Sequence, residues 1–136
     1  MTNEEKDLIQ VTEALKRLPH FDSAAFIQLI EDTGPVVALR ILARFEIGVQ
    51  ESLTAIKNGI TQENSDSIWQ ACHKMTGSAE LIGFKEFGAK SRKLNRDVKA
   101  LPDIQAHLDE LTHYLREGEA LLAHIKESFP QFKSYL

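Results

Sequence analysis

The chain has 136 residues, of which 43% are hydrophobic and 26% charged, and its formal net charge is −4. That length suits one domain with its own apolar core, and the balance of residues is neither that of a disordered chain nor that of a membrane protein. No apolar run approaches the ~20 residues of a membrane span, the acidic start MTNEEKDLIQ does not resemble a secretory signal, and the negative charge argues against a nucleic-acid-binding face. A cytoplasmic location is expected. Cys72, the sole cysteine, has no partner for an internal disulfide, and no cysteine pair suggests zinc.

Apolar residues recur at helical spacing almost throughout, with no sustained alternation of the kind a half-buried strand shows. The first predicted helix carries Leu8, Val11, Leu15 and Leu18 and stops at Pro19. Asp22 or Ser23 can cap a second, bearing Phe26, Ile27 and Ile30, and Gly34-Pro35 ends it and opens the next. The third is long, with Leu42, Phe45, Val49, Leu53 and Ile56 on one face, and Asn58-Gly59 is its expected left-handed stop. Capping residues between Thr61 and Ser67 lead into a fourth helix with Ile68, Cys72, Met75, Ala79 and Ile82 on its apolar face, closed by Gly83. The fifth carries Phe84, Phe87, Ser91, Leu94, Val98 and Leu101 and ends before Pro102. Asp103 caps the sixth, whose stripe is Ile104, Leu108, Leu111, Leu115, Leu122 and Ile125. Long amphipathic helices with short connections predict an all-α protein, an antiparallel four-helix bundle over about residues 35–128 with one or two additional short N-terminal helices.

One histidine lies off the apolar stripe. Taking about 100° per residue from Ile68, the fourth helix keeps its stripe within roughly 40° of that direction and turns His73 about 140° away, toward water. Four residues on stands Gly77, which costs roughly 1 kcal/mol relative to Ala inside a helix. Its missing side chain would leave room beside the imidazole for a bulky group or another protein's backbone. These two residues alone are equally compatible with a surface histidine next to a helix-packing glycine.

The segment Cys72-His73-Lys74-Met75-Thr76-Gly77-Ser78-Ala79-Glu80-Leu81-Ile82-Gly83-Phe84 resembles the phosphoacceptor motif of histidine-containing phosphotransfer (HPt) domains. In that motif a histidine is followed four residues later by a small Gly-Ser/Ala pair, and six residues beyond that by a second glycine. The resemblance extends through FDSAAFIQLIEDTG and the order of helices, covering roughly residues 20–129. It implies an N-terminal helical extension at 1–19, an HPt bundle at 20–129 and a tail at 130–136. It also implies that His73 takes a phosphoryl group from the aspartyl phosphate of a receiver domain and gives it to another receiver. Such a chain is a carrier rather than an enzyme, because the receiver brings the Mg²⁺ and this chain needs no cofactor or metal of its own. The expected partners are receiver domains of hybrid histidine kinases and of response regulators, and the expected state is a monomer.

The resemblance also assigns neighbours. Many HPt domains place a lysine three residues after the histidine, where this chain has Thr76, a hydroxyl without charge. Lys74 is about 100° around the helix from His73 and is an imperfect replacement. The fifth helix offers Arg92 and Lys99 as phosphate contacts and Asn95 as the amide that would hold the imidazole ring, with Gly88 on the same flank. Each basic residue taken alone reads first as a solvated charge on an exposed helix. Trp69, Gln70, Glu80 and Gly88 are candidate partner contacts, although Trp69 can also simply cover the bundle edge. His20, His107, His113 and His124 lack the spacing of a metal-binding bundle, and Met75, Phe87 and Cys72 read as core. The competing reading keeps the bundle but makes it a non-phosphorylated adaptor for a receiver or kinase domain, and Thr76 is its best support.

Overall fold

Residues 62–64, 83–84 and 101–103 are the short links that force four long helices to reverse direction at each turn. A computed structural model describes residues 1–136. Its helices are α1 (Asn3–Leu15), α2 (Ser23–Thr33), α3 (Pro35–Thr61), α4 (Ser65–Ile82), α5 (Lys85–Ala100) and α6 (Ile104–Ser128), followed by a 3-10 turn at Phe132–Tyr135. Helices α3 to α6 form the antiparallel bundle, with α4 against α5 and α3, and α6 against α3 and α5. The shorter α1 packs on α3 and α6, and α2 packs on α3 and α4. No helix is long and apolar enough to cross a membrane.

The helix ends follow from local chemistry. Side chains of Thr2, Asp22 and Asn64 accept backbone N–H bonds at the starts of α1, α2 and α4, satisfying donors that the helices leave free. Pro35 opens α3, where its missing N–H costs nothing. Gly83 ends α4 at φ 125°, a conformation that side-chain-bearing residues avoid. Its carbonyl accepts the Asp22 N–H at 2.9 Å, and Lys85 Nζ lies 2.6 Å from Asp22 Oδ2, so the α4–α5 turn is fastened to the start of α2. Phe84 completes this end by stacking on Phe45 at 5.5 Å and meeting Phe21 at 5.2 Å.

Several expectations need correction: α1 ends at Leu15 rather than at Pro19, and Ile27 of α2 and Leu101 after α5, expected on apolar stripes, are exposed. Helix α3 does not stop at Asn58-Gly59 but runs on to Thr61, and the left-handed residue is Glu63, at φ 54°. Gly59 is small for a packing reason, since a Cβ there would lie 2.7 Å from Ile68 Cγ1 on α4. The inward face of α6 is also rotated from the leucine stripe. His107, Tyr114 and Gly118 are buried, while Leu108 and Leu115 sit at the margins. The polar groups of this face are satisfied. His107 Nε2–H donates to the Leu101 carbonyl at 2.7 Å, which fixes the ring's tautomer, and Ser91 Oγ donates to the Phe87 carbonyl. With that proton committed, Tyr114 donates to Ser91 Oγ at 2.6 Å.

The last residues are tied back to α1. Tyr135 Oη donates to Asp7 Oδ2 at 2.6 Å, and Gln131 Nε2 donates to Asp7 and Gln10 at 2.8 Å each. Buried oxygens without a hydrogen-bond partner occur at Gln131 Oε1 and at Glu46 on α3, which is 1% exposed and has neither carboxylate oxygen bonded. Burial pushes its carboxyl above the usual carboxylate range, offset in part by Lys126.

Two outcomes follow for stability. Gly83→Ala should lower the denaturant midpoint, by about 1–2 kcal/mol from the backbone conformation alone and further because the new Cβ would lie 2.5 Å from the Asp22 carbonyl oxygen. Because the folded-state carboxyl of Glu46 is raised, folding is favoured below the unfolded carboxyl's titration and that contribution is lost as pH rises through the folded one. Glu46→Met should therefore stabilise the protein by about 1–3 kcal/mol at neutral pH, and the gain should shrink as thermal melts are repeated toward pH ~4.

Candidate functional site

Helix α4 buries Ile68, Ala71, Cys72, Met75, Ala79 and Ile82 and leaves His73, Lys74, Gly77 and Ser78 in water. Cys72 is inert packing, its thiol pushed up to about 12 by burial. The His73 imidazole makes no hydrogen bond or ion pair and projects from the middle of the helix, seven residues or more from either end. A Cβ built on Gly77 would meet nothing within 4 Å, so the surface one turn beyond the imidazole is open. Gly77 is not a packing glycine.

Gly88 on α5 is one. A Cβ at Gly88 would sit 2.7 Å from Glu80 Cγ and 3.3 Å from the Thr76 carbonyl oxygen, so this glycine permits α5 to lie close along α4. The flank of α5 that results runs Gly88, Arg92, Asn95, Lys99 beside the His73 side of α4. Arg92 Nη2 donates to both carboxylate oxygens of Glu80 at 2.8 Å. Lys99 Nζ lies 4.7 Å from the centre of the Trp69 ring, and the Trp69 indole N–H donates to Asp66 Oδ1 at 3.1 Å. Asn95 is half-buried between them and makes no side-chain hydrogen bond, to His73 or to any other group. The remaining α5 cations have other partners: Lys90 bonds Glu117 and Lys93 bonds Glu110, both on α6, Lys85 pairs with Asp22, and Arg96 pairs with Asp97 of its own helix.

The sequence-derived site residues therefore divide. Trp69, Glu80, Gly88, Arg92 and Lys99 meet across the α4–α5 seam, and the helical register sets His73, Gly77 and Asn95 alongside it. Gln70 and Lys74 lie on the other flank, lining a groove with Gly48, Glu51 and Ser52 of α3. Thr76 is 8% exposed and its hydroxyl donates to the Cys72 carbonyl at 3.2 Å, a back-bond that leaves it no proton for a phosphate. Asp66 was not among the candidates, although its place three residues before Trp69 puts the two on one helix face. The Glu80–Arg92 pair was also missed, because it depends on how far α5 slides along α4.

An exposed imidazole on a rigid helix, an open surface beside it and cations one helix away form a platform for an anionic group delivered from outside. Residues 40–129 match the Hpt domain family, and the chain belongs to that family. Hpt domains are phosphocarriers of phosphorelays and interact with receiver domains. Comparison with curated proteins gave no match, and comparison with solved structures gave none either. The matched segment begins within α3, so α1 and α2 precede it.

The two glycines should respond oppositely to the same change. Gly77→Ala should stabilise by roughly 1 kcal/mol, having space for the methyl, whereas Gly88→Ala should lower the melting temperature because Glu80 or the helix spacing must give way. Thermal melts of the two variants at neutral pH check this.

Proposed function

We propose that His73 is the phosphoacceptor of a phosphorelay and that this chain carries the group between two receiver domains in the cytoplasm as a monomer. The observation that carries this reading is the unobstructed imidazole beside the open surface at Gly77. A neutral imidazole has a lone pair without help from a separate base. That pair attacks phosphorus, the bond from phosphorus to the receiver's aspartyl oxygen breaks, and the electron pair leaves with the aspartate carboxylate. The ring keeps its proton on the other nitrogen. Passing the group onward is the same exchange in reverse, with the lone pair returning to the imidazole.

The catalytic apparatus belongs to the receiver in this scheme. It brings the aspartate and Mg²⁺, while the present chain supplies a nucleophile already in place, so that positioning and charge stabilisation dominate. No cofactor is required of this chain, and by itself it turns over nothing. We assign Asn95 to orienting the ring and the cations of α5 to the phosphoryl oxygens. Trp69 and the open surface at Gly77 are assigned to the receiver's approach. The second reading, a helical adaptor that binds receiver or kinase domains without being phosphorylated, draws its support from the inward-turned Thr76.

The test is incubation with phosphorylated receiver domains and Mg²⁺. The chain should gain phosphate that is labile in acid and stable in alkali, and His73→Gln should gain none. Gly77→Gln should slow transfer about tenfold or more by obstructing approach, while its helical circular dichroism is retained. Binding of receivers without transfer would establish the adaptor instead.

A further inference from the structure

The two cations that α5 presents to α4 are held differently. Lys99 rests on the half-buried Trp69 ring, a contact of modest strength. Arg92 is engaged by both oxygens of Glu80, and Glu80 can lie there because Gly88 offers it no side chain to displace. The helix register relates these contacts to His73. Along the antiparallel pair, Gly88 lies opposite Thr76 and Glu80, and Lys99 lies opposite Trp69. Stepping four residues back from Lys99 and four forward from Trp69 brings Asn95 level with His73, with Arg92 less than one turn further along. Arg92 thus starts near the level of the imidazole and leans toward the C-terminal end of α4 to reach Glu80.

We infer that the Glu80–Arg92 pair is a resting-state lock that opens on phosphorylation: Arg92 leaves Glu80 and pairs with the phosphoryl group on His73, and Glu80 is the positioning residue that sets how readily it does so. The inference rests on the phosphoacceptor reading of His73. The exchange is favoured by charge. A phosphoryl group brings about two negative charges and three acceptor oxygens near neutral pH, against one charge for the carboxylate. The existing pair is in water, with side chains 59% and 37% exposed, where an ion pair holds weakly. The guanidinium also suits phosphate oxygens well, offering several donors in one plane. Lys74 lies on the α3 flank, and the Thr76 hydroxyl is already donated.

Phosphoramidate gives a test that needs no receiver domain. The imidazole nitrogen displaces ammonia as the reagent's phosphorus–nitrogen bond breaks, and phosphorus NMR then follows the protonation of the bound phosphoryl group with pH. The signal used is the one absent from His73→Gln. In Arg92→Gln the midpoint should rise by roughly half a unit, because the cation favouring the doubly charged form is gone. In Glu80→Gln it should fall by a similar amount, because Arg92 is released. Glu80→Gln combined with Arg92→Gln should match Arg92→Gln alone. If removing Glu80 lowers the midpoint equally with and without Arg92, the carboxylate acts by simple repulsion and the exchange is overturned. Unmoved midpoints in both single variants overturn it as well. A wild-type chain that shows no signal dependent on His73 refutes the phosphoacceptor reading itself, and with it this inference.

Discussion

Where Gly88 of α5 crosses α4 between Thr76 and Glu80, the two helices lie so close that a side chain there would displace Glu80 and press on the Thr76 carbonyl. Their separation sets which α5 residues stand beside His73, how Glu80 folds against the seam and whether Lys99 can reach the Trp69 ring. The approach is held from one end by the Gly83 turn, which is itself bonded to Asp22 and stacked through Phe84 onto Phe45. A histidine can be exposed anywhere on a helical bundle. What distinguishes His73 is that its neighbours on the adjoining helix are fixed in register.

The surface charge of α5 is partitioned by the same geometry. Lys90 and Lys93 turn to carboxylates of α6, Lys85 turns to Asp22, and Arg92 and Lys99 turn to α4. Exposed ion pairs of this kind contribute little to stability individually. Their effect here is to decide which positive charges border the imidazole and which are occupied elsewhere. An acidic chain thereby keeps a local reserve of positive charge next to the one residue proposed to become strongly negative.

Much of this was legible in the residue pattern. The helix boundaries marked by Asp22, Gly34-Pro35, Gly83 and Pro102 follow from capping and backbone chemistry, which are local, and Asp103 does precede α6 but without the expected side-chain capping bond. The outward direction of His73 followed from helical periodicity, since the stripe of Ile68, Cys72, Met75, Ala79 and Ile82, all buried, leaves its place unambiguous. Errors arose where tertiary packing outweighed local preference. Asn58-Gly59 has the chemistry of a stop, yet Gly59 stays helical because Ile68 needs the space. On α6 the leucines mark the stripe only approximately, because Tyr114 and His107 find hydrogen-bond partners on the neighbouring helix and at its C-cap and can be buried in their place. The Thr76 hydroxyl reads in sequence as a free donor, and only the fold shows that its proton is spent on its own helix. The Glu80–Arg92 pair requires the slide between two helices, which no single-helix periodicity encodes.

The clasp of Tyr135 and Gln131 on Asp7 and Gln10 brings the first and last helical segments together on the side of the bundle built by α3 and α6. His73 faces outward along α4 and α5. Another domain or a reporter joined at either end would thus emerge behind the face that carries His73 rather than across it, so this bundle can be spliced into larger chains, or tethered to a surface, with that face left unobstructed.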